Sequence, residues 1–156
     1  HNEFEIHPYF VKAFKKRWYV IAYSPGTDDI RCYALDRMED VTISEEIFKM
    51  PEDLDPVEYF KDCFGIINIK GAEVQKVLLR VDGFQSNYIR NLPLHSSQKE
   101  IKHTDEYSIF EYHLKPELDF EQEIFSNMDT MEVLEPQWLR EEIAQRLKNL
   151  TGKYQI

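Results

Sequence analysis

Apolar and polar positions recur along this chain regularly enough to place most of its elements. "FEIHPYFVKAF" (residues 4–14) alternates loosely and is rich in β-formers, so it reads as a strand with Pro8 near its start or on an edge. "RWYVIAY" (17–23) is a second strand, and "SPGTDD" (24–29) is turn chemistry long enough for a hairpin. "IRCYALDRM" (30–38) is a third strand, and "DVTISEEIF" (40–48) is a candidate short fourth. Closely spaced strands with short turns predict a small barrel or a strongly bent sheet. In "MPEDLDPVEYFKDCFGI" (50–66), Val57, Phe60 and Phe64 recur at helical spacing with Cys63 beside them, and Gly65 is a plausible stop.

"INIKGAE" (67–73) has the character of a linker, which puts a domain boundary at residues 66–73. It separates a unit of residues 1–65 from one of residues 74–156. In the second unit "EVQKVLLRVDG" is a strand, "FQSNYIRNL" a short helix ending before Pro93, and "QKEIKHTDEYSIFEYHL" a hairpin turning at Thr104–Glu106. "KPELDFEQEIFSNM" is a second helix and "MEVLE" a strand. "PQWLREEIAQRLKNLTG" closes as an amphipathic helix, with Leu139, Ile143, Leu147 and Leu150 on one stripe, Pro136 in the first turn and Gly152 at the end. The order βαββαβ plus a helix is the ferredoxin-like pattern, a fold that hosts many functions. The fold class is therefore α+β.

Composition narrows the function classes. With 156 residues, 42% hydrophobic and 13% aromatic, the chain can bury a core, and its 31% charged fraction suits a soluble surface. No apolar stretch approaches the roughly 20 residues that span a bilayer, and no signal-peptide pattern starts the chain. The first residue, His1, marks it as an excised piece of something longer. Cys32 and Cys63 make no disulfide framework; in apolar surroundings they read as buried thiols suited to a reducing cytoplasm. The net charge of −10 argues against a protein that coats nucleic acid over its whole surface. That charge is uneven, however. Residues 38–73 carry three Lys/Arg against ten Asp/Glu, whereas residues 1–37 carry six against five. The predicted strands are mildly basic, so a local anion site fits.

No catalytic constellation emerges. His1, His7, His95, His103 and His113 show no zinc spacing, and the five glycines form no phosphate-cradling or dinucleotide fingerprint. His103 and His113 could face each other across the predicted hairpin, where packing is the simpler account. Cys63 sits on an apolar stripe, which favours core packing over a nucleophile. The acidic clusters "EDLDPVE" and "ELDFEQE" suit first helical turns.

The cations and aromatics of residues 15–38 are the remaining candidate chemistry. By strand parity Arg17, Tyr19, Ile21 and Tyr23 share one face of the second strand, and Arg31, Tyr33, Leu35 and Arg37 share one face of the third. If those faces combine, they make a surface of guanidinium forks and phenolic rings that suits phosphates and bases. The alternative is the polar rim of a half-buried face. On a straight strand Arg31 and Arg37 stand about 20 Å apart, too far to grip one phosphate.

Arg17-Trp18-Tyr19-Val20, taken with the segment Arg31 to Met38, resembles the WYL-domain family of bacterial regulators. That family is named for a Trp-Tyr-Leu signature followed by Arg-x-aromatic-x-Leu-x-Arg; here Val20 replaces the Leu. "VLEPQWLREEI" (133–143) is similar to the end of the extension domain that commonly follows. The resemblance implies a small SH3/Sm-like β-barrel, here without its usual first strand, followed by a ferredoxin-like extension. It implies a ligand-sensing module of a transcriptional regulator rather than an enzyme. Such a module is usually a homodimer, works in the cytoplasm without a cofactor or metal, and contacts DNA through an N-terminal domain not visible in this chain. The implied effector is single-stranded nucleic acid or a nucleotide-like molecule on a basic groove. By position Tyr19, Arg31 and Arg37 match the motif, Arg17, His7 and Tyr33 follow by adjacency, and Arg80 and Arg90 are weaker candidates. A protein-interaction module without a small ligand is the alternative function.

Overall fold

The computed structural model describes residues 3–155, so His1 lies outside the described residues. The chain divides into two units, His1–Phe60 and Lys61–Ile156. In the first, β1 (His7–Phe14), β2 (Arg17–Ser24) and β3 (Asp29–Ala34) form an antiparallel sheet in the order β1-β2-β3. Lys15 and Lys16 are the whole β1–β2 turn, and both hold positive φ, 45° and 63°. Pro25–Asp28 join β2 to β3, with the Thr27 N–H donating to the Ser24 carbonyl. A bulge between Pro8 and Phe10 shifts the β1 register, consistent with the bend expected near a proline. Val20, Ile21 and Ala22 are buried. Phe10 meets the rings of Tyr59 and Phe60 nearly edge-on, at 6.3 and 6.2 Å.

Three expectations for this unit need correction. The third strand stops at Ala34, and Leu35–Arg37 coil into a single 3₁₀ turn. "DVTISEEIF" forms no strand: Asp40 takes φ 50°, which breaks an extended path, and Ile43 and Ile47 are each 98% exposed. The helix does not run to Gly65 but covers only Pro56–Phe60 (α1). The Asp55 carboxylate caps it by accepting the Val57 and Glu58 N–H groups at 2.7 and 3.0 Å. Its supposed stripe serves two units, because Phe60 is buried in the first while Phe64 packs on the core of the second, and Val57 is exposed. Past Phe60, the Lys115 N–H takes the Asp62 carbonyl at 2.7 Å and Cys63 bridges Lys115, which pulls the chain out of helical geometry.

The second unit follows its periodicity closely. Its elements are β4 (Gln75–Asp82), α2 (Gly83–Asn91), β5 (Lys99–His103), β6 (Tyr107–Leu114), α3 (Leu118–Ser126), β7 (Met131–Glu135) and α4 (Gln137–Thr151). The sheet runs β5-β6-β4-β7, every neighbouring pair antiparallel. Alternate residues of β4 (Val77, Leu79, Val81) and β6 (Phe110, Tyr112, Leu114) face one core. Ile89 of α2, Phe120 and Ile124 of α3, and Leu139 and Ile143 of α4 complete it. The α4 stripe therefore holds at its start, while Leu147 and Leu150 remain partly exposed. The phenol of Tyr112 donates to Gln98 Oε1 at 2.9 Å, and burial pushes its pKa up.

The opposite sheet face carries charge. Lys76 pairs with Glu135 at 2.8 Å and Arg80 with Glu132 at 3.6 Å, all four side chains about half-exposed. Asp119, at the start of α3, is buried. Its Oδ2 accepts the Ile66 and Ile67 N–H groups at 2.9 and 3.2 Å, and its Oδ1 the Phe120 N–H at 2.9 Å. Gly83 begins α2 where the β5–β6 turn comes close. A Cβ there would lie 2.9 Å from the Asp105 carbonyl oxygen, so a side chain cannot fit without moving backbone.

Candidate anion-binding face

Residues directly opposite in an antiparallel pair share a sheet face. In the β2–β3 register Tyr19 stands opposite Ala34, Ile21 opposite Cys32 and Tyr23 opposite Ile30. Arg31 stands opposite Ala22, and Tyr33 opposite Val20. The expected union of the two Arg/Tyr faces therefore fails: Arg17 and Tyr19 lie on one face of the sheet, Arg31 and Tyr33 on the other. The 3₁₀ turn also removes Arg37 from the strand, so the spacing of a straight strand does not apply to it.

The first face is half-buried along most of its length, with Ile21 fully buried. It carries Arg17, Tyr19, Ile21 and Tyr23 of β2 with Phe14, Lys12, Phe10 and His7 of β1. Arg17 Nε pairs with Asp36 at 3.0 Å. His7 stacks on Phe48 at 4.7 Å with planes 6° apart, tilts against Tyr23 at 5.5 Å, and lies 4.0 Å from Glu5. The Tyr23 hydroxyl donates to Asp28 at 2.7 Å, a contact that raises its pKa. Lys12 sits 4.2 Å over the Phe60 ring.

The second face is exposed at its rim and buried in its middle, where Val20, Ala22 and Ser24 lie. Trp18 is 57% exposed, Arg31 and Val11 are exposed, and Tyr33 is half-buried against Phe4 at 5.3 Å. Among the described residues neither Arg31 nor Arg37 makes an ion pair. Asp29 shares the face, but its Oδ1 accepts the N–H of Ile30 at 2.9 Å. A rigid guanidinium without a carboxylate partner, on a sheet face that also carries two aromatic rings, can receive a phosphate while the rings stack a base. Sequence parity assigned Trp18 to the face without arginines; the strand register would have recovered it.

The two weaker candidates are engaged elsewhere. Arg80 pairs with Glu132 and lies 4.5 Å over the Tyr107 ring. Arg90 grips Glu100 through two bonds, Nε to Oε2 at 2.9 Å and Nη2 to Oε1 at 2.7 Å, and also contacts Asn87. His103 joins that cluster 3.2 Å from Glu100 Oε1, while His113 meets Glu111 at 3.2 Å. The register pairs His103 with Ser108 and His113 with Lys76, so the two histidines do not face each other. Among the described residues no three His, Cys, Asp or Glu side chains gather as a metal site requires, and no helix is long and apolar enough to cross a membrane.

The Arg90 grip holds the Glu100 carboxyl at about 2, against an ordinary 4.5; Ser108 and His103 help, and burial opposes. A carboxyl whose folded pKa is depressed contributes stability above its unfolded value. That contribution is expected in full above about pH 4.5 and lost as pH falls towards 2, amounting to about 1–2 kcal/mol once surface screening is allowed for. Urea midpoints of the wild type and Glu100→Gln across that window check this. The variant should start lower and fall less with acid; parallel curves would mean the grip adds nothing.

Two family models match the chain: a WYL domain over residues 1–43 and a WCX domain over residues 73–151. No curated protein matches it. Among solved structures it is similar to proteasome accessory factor B/C (PafBC) of Arthrobacter aurescens, at 14% identity and a TM-score of 0.35. That match covers 92% of this chain and 21% of the other, so the chain spans about a fifth of that protein's length. With a WYL domain ahead of a WCX domain that alone spans half of it, the chain belongs to the WYL/WCX family.

Proposed function

We propose that this chain is the ligand-sensing regulatory part of a transcriptional regulator and works by binding, without chemistry. Its effector is anionic, either single-stranded nucleic acid or a nucleotide-like molecule, and docks on the face that bears Trp18, Tyr33 and Arg31. Arg37, also without an ion pair among the described residues, offers a second cation beyond β3. The single observation carrying this reading is the exposed Arg31, which makes no ion pair among the described residues and stands on a sheet face with two aromatic rings. Arg17 and Tyr19, on the first face, hold the sheet rather than the ligand.

We further read the first unit as part of an SH3/Sm-like barrel, supported by its three antiparallel strands and the bulge in β1. The second reads as ferredoxin-like, supported by the order β5-β6-β4-β7. In this proposal the regulator is a cytoplasmic homodimer, and a DNA-reading domain outside residues 1–156 responds to the effector. Such coupling requires the effector to bind two arrangements of the protein unequally.

Fluorescence anisotropy with a labelled single-stranded oligonucleotide tests the site. Arg31→Ala and Trp18→Ala should each weaken binding by about 1–3 kcal/mol, while Arg17→Ala stays within about twofold. Wild-type affinity should fall steeply between about 50 and 200 mM salt. Full affinity in the Arg31 and Trp18 variants would place the ligand elsewhere. Self-association that ignores salt, with no oligonucleotide binding, would favour a protein-interaction module, a role to which the exposed Ile43 and Ile47 are also suited.

A further inference from the structure

Helix α2 is apolar on the side where a surface helix is normally polar. Its inner side puts Ile89 into the core of the second unit, which leaves Phe84, Tyr88 and Leu92 outward at 76%, 60% and 79% exposure. They stand at i, i+4 and i+8, so they form one ridge about 12 Å long. The Phe84 and Tyr88 rings meet T-shaped at 5.3 Å, which gives the ridge a set form. The only charge on the helix is Arg90, and Glu100 grips it through two bonds. The two ends differ. Asp82, Asp105 and Glu106, all exposed, stand at the start of α2, where the Gly83 N–H donates to the Glu106 carbonyl. At the other end Gln98 donates to the Ile89 carbonyl, and the exposed Lys99 follows it.

We propose that a second copy of this chain docks on that ridge, the two α2 helices packing antiparallel about a twofold axis at Tyr88. Three features select a second copy. A chain of net charge −10 repels its own copies over most of its surface, and this ridge carries no carboxylate. Phe84 and Leu92 each lie four residues from Tyr88, so the axis sets Phe84 of one copy against Leu92 of the other, and the ridge complements itself. The same operation brings the acidic start of one helix towards Lys99 of the other and opposes the helix dipoles favourably. The proposal rests on the homodimer reading and deepens it by assigning the surface. Three such side chains bury roughly 400 Å² per copy, about 800 Å² in all, the size of a transient contact. The ridge alone therefore gives a weak dimer, with a dissociation constant of about 10–100 µM.

Sedimentation velocity of the whole chain from about 5 to about 500 µM tests this. The wild type should pass from monomer to dimer across that range. Tyr88→Lys sets two cations together on the axis and should raise the midpoint at least about tenfold. Ile43→Ser/Ile47→Ser, in the first unit, should leave the midpoint in place. Under mild oxidation Tyr88→Cys should link two copies through a disulfide. Phe84→Cys should not, because only a residue on the axis meets its own copy within disulfide reach. A dimer that survives Tyr88→Lys, or a Phe84→Cys protein that links as readily as Tyr88→Cys, would overturn this surface while sparing the homodimer. A wild type that stays monomeric throughout would overturn both.

Discussion

Phe120→Ala should destabilise the second unit by about 3–5 kcal/mol, the range for emptying a fully buried aromatic site. Phe120 has no exposed surface and lies between Phe64, at 5.6 Å, and Tyr112, at 6.2 Å, both near edge-on. Both neighbours are themselves anchored: Tyr112 by its bond to Gln98, and Phe64 by the chain segment that bridges Lys115. They cannot collapse freely into the space, so most of the cavity should persist. Against a total of about 5–15 kcal/mol for an ordinary domain, such a loss takes much of the unit's margin. Urea unfolding followed by tyrosine fluorescence measures it. A midpoint within error of the wild type would mean that the α3–β6 contact relaxes readily.

The second large effect belongs to the neighbouring residue. Asp119→Ala should lower stability by about 3 kcal/mol, because it removes the carboxylate oxygen to which the N–H groups of Ile66 and Ile67 donate; the Phe120 N–H keeps the Glu117 carbonyl, at 2.9 Å. Asp119→Asn keeps one carbonyl oxygen and should lose less. Hydrogen exchange gives a local signature: amides 66 and 67 should lose protection in the Ala variant even under strongly native conditions. Unchanged protection would show that other groups hold that segment. Because Asp119 and Phe120 act on the same end of α3, the double variant should lose less than the two single losses combined.

The second unit was largely legible in the sequence because its local signals agree. The segment "EVQKVLLRVDG" marked a strand, Thr104–Glu106 marked the hairpin, and Pro136 and Gly152 bracketed α4. The Asp119 anchor was not legible, since it joins positions more than fifty residues apart. The first unit was legible as strands but not as a surface. Parity fixes which residues share a face within a strand; the connecting loop decides which face of the next strand joins it. Once Pro25–Asp28 set Ser24 opposite Asp29, every odd-numbered residue of β2 met an even-numbered residue of β3. That put Arg31 beside Trp18's face instead of Arg17's. The Val57–Phe64 periodicity misled for another reason: residues at helical spacing were divided between two cores.

The side of the second sheet that bears Lys76, Arg80, Glu132 and Glu135 limits how copies of this protein can meet. Each charge is already neutralised within its own subunit and half in water. A second copy laid flat against it would strip hydration from four ions and supply no new counter-charge, a losing exchange. Self-association of this chain is therefore expected on other surfaces.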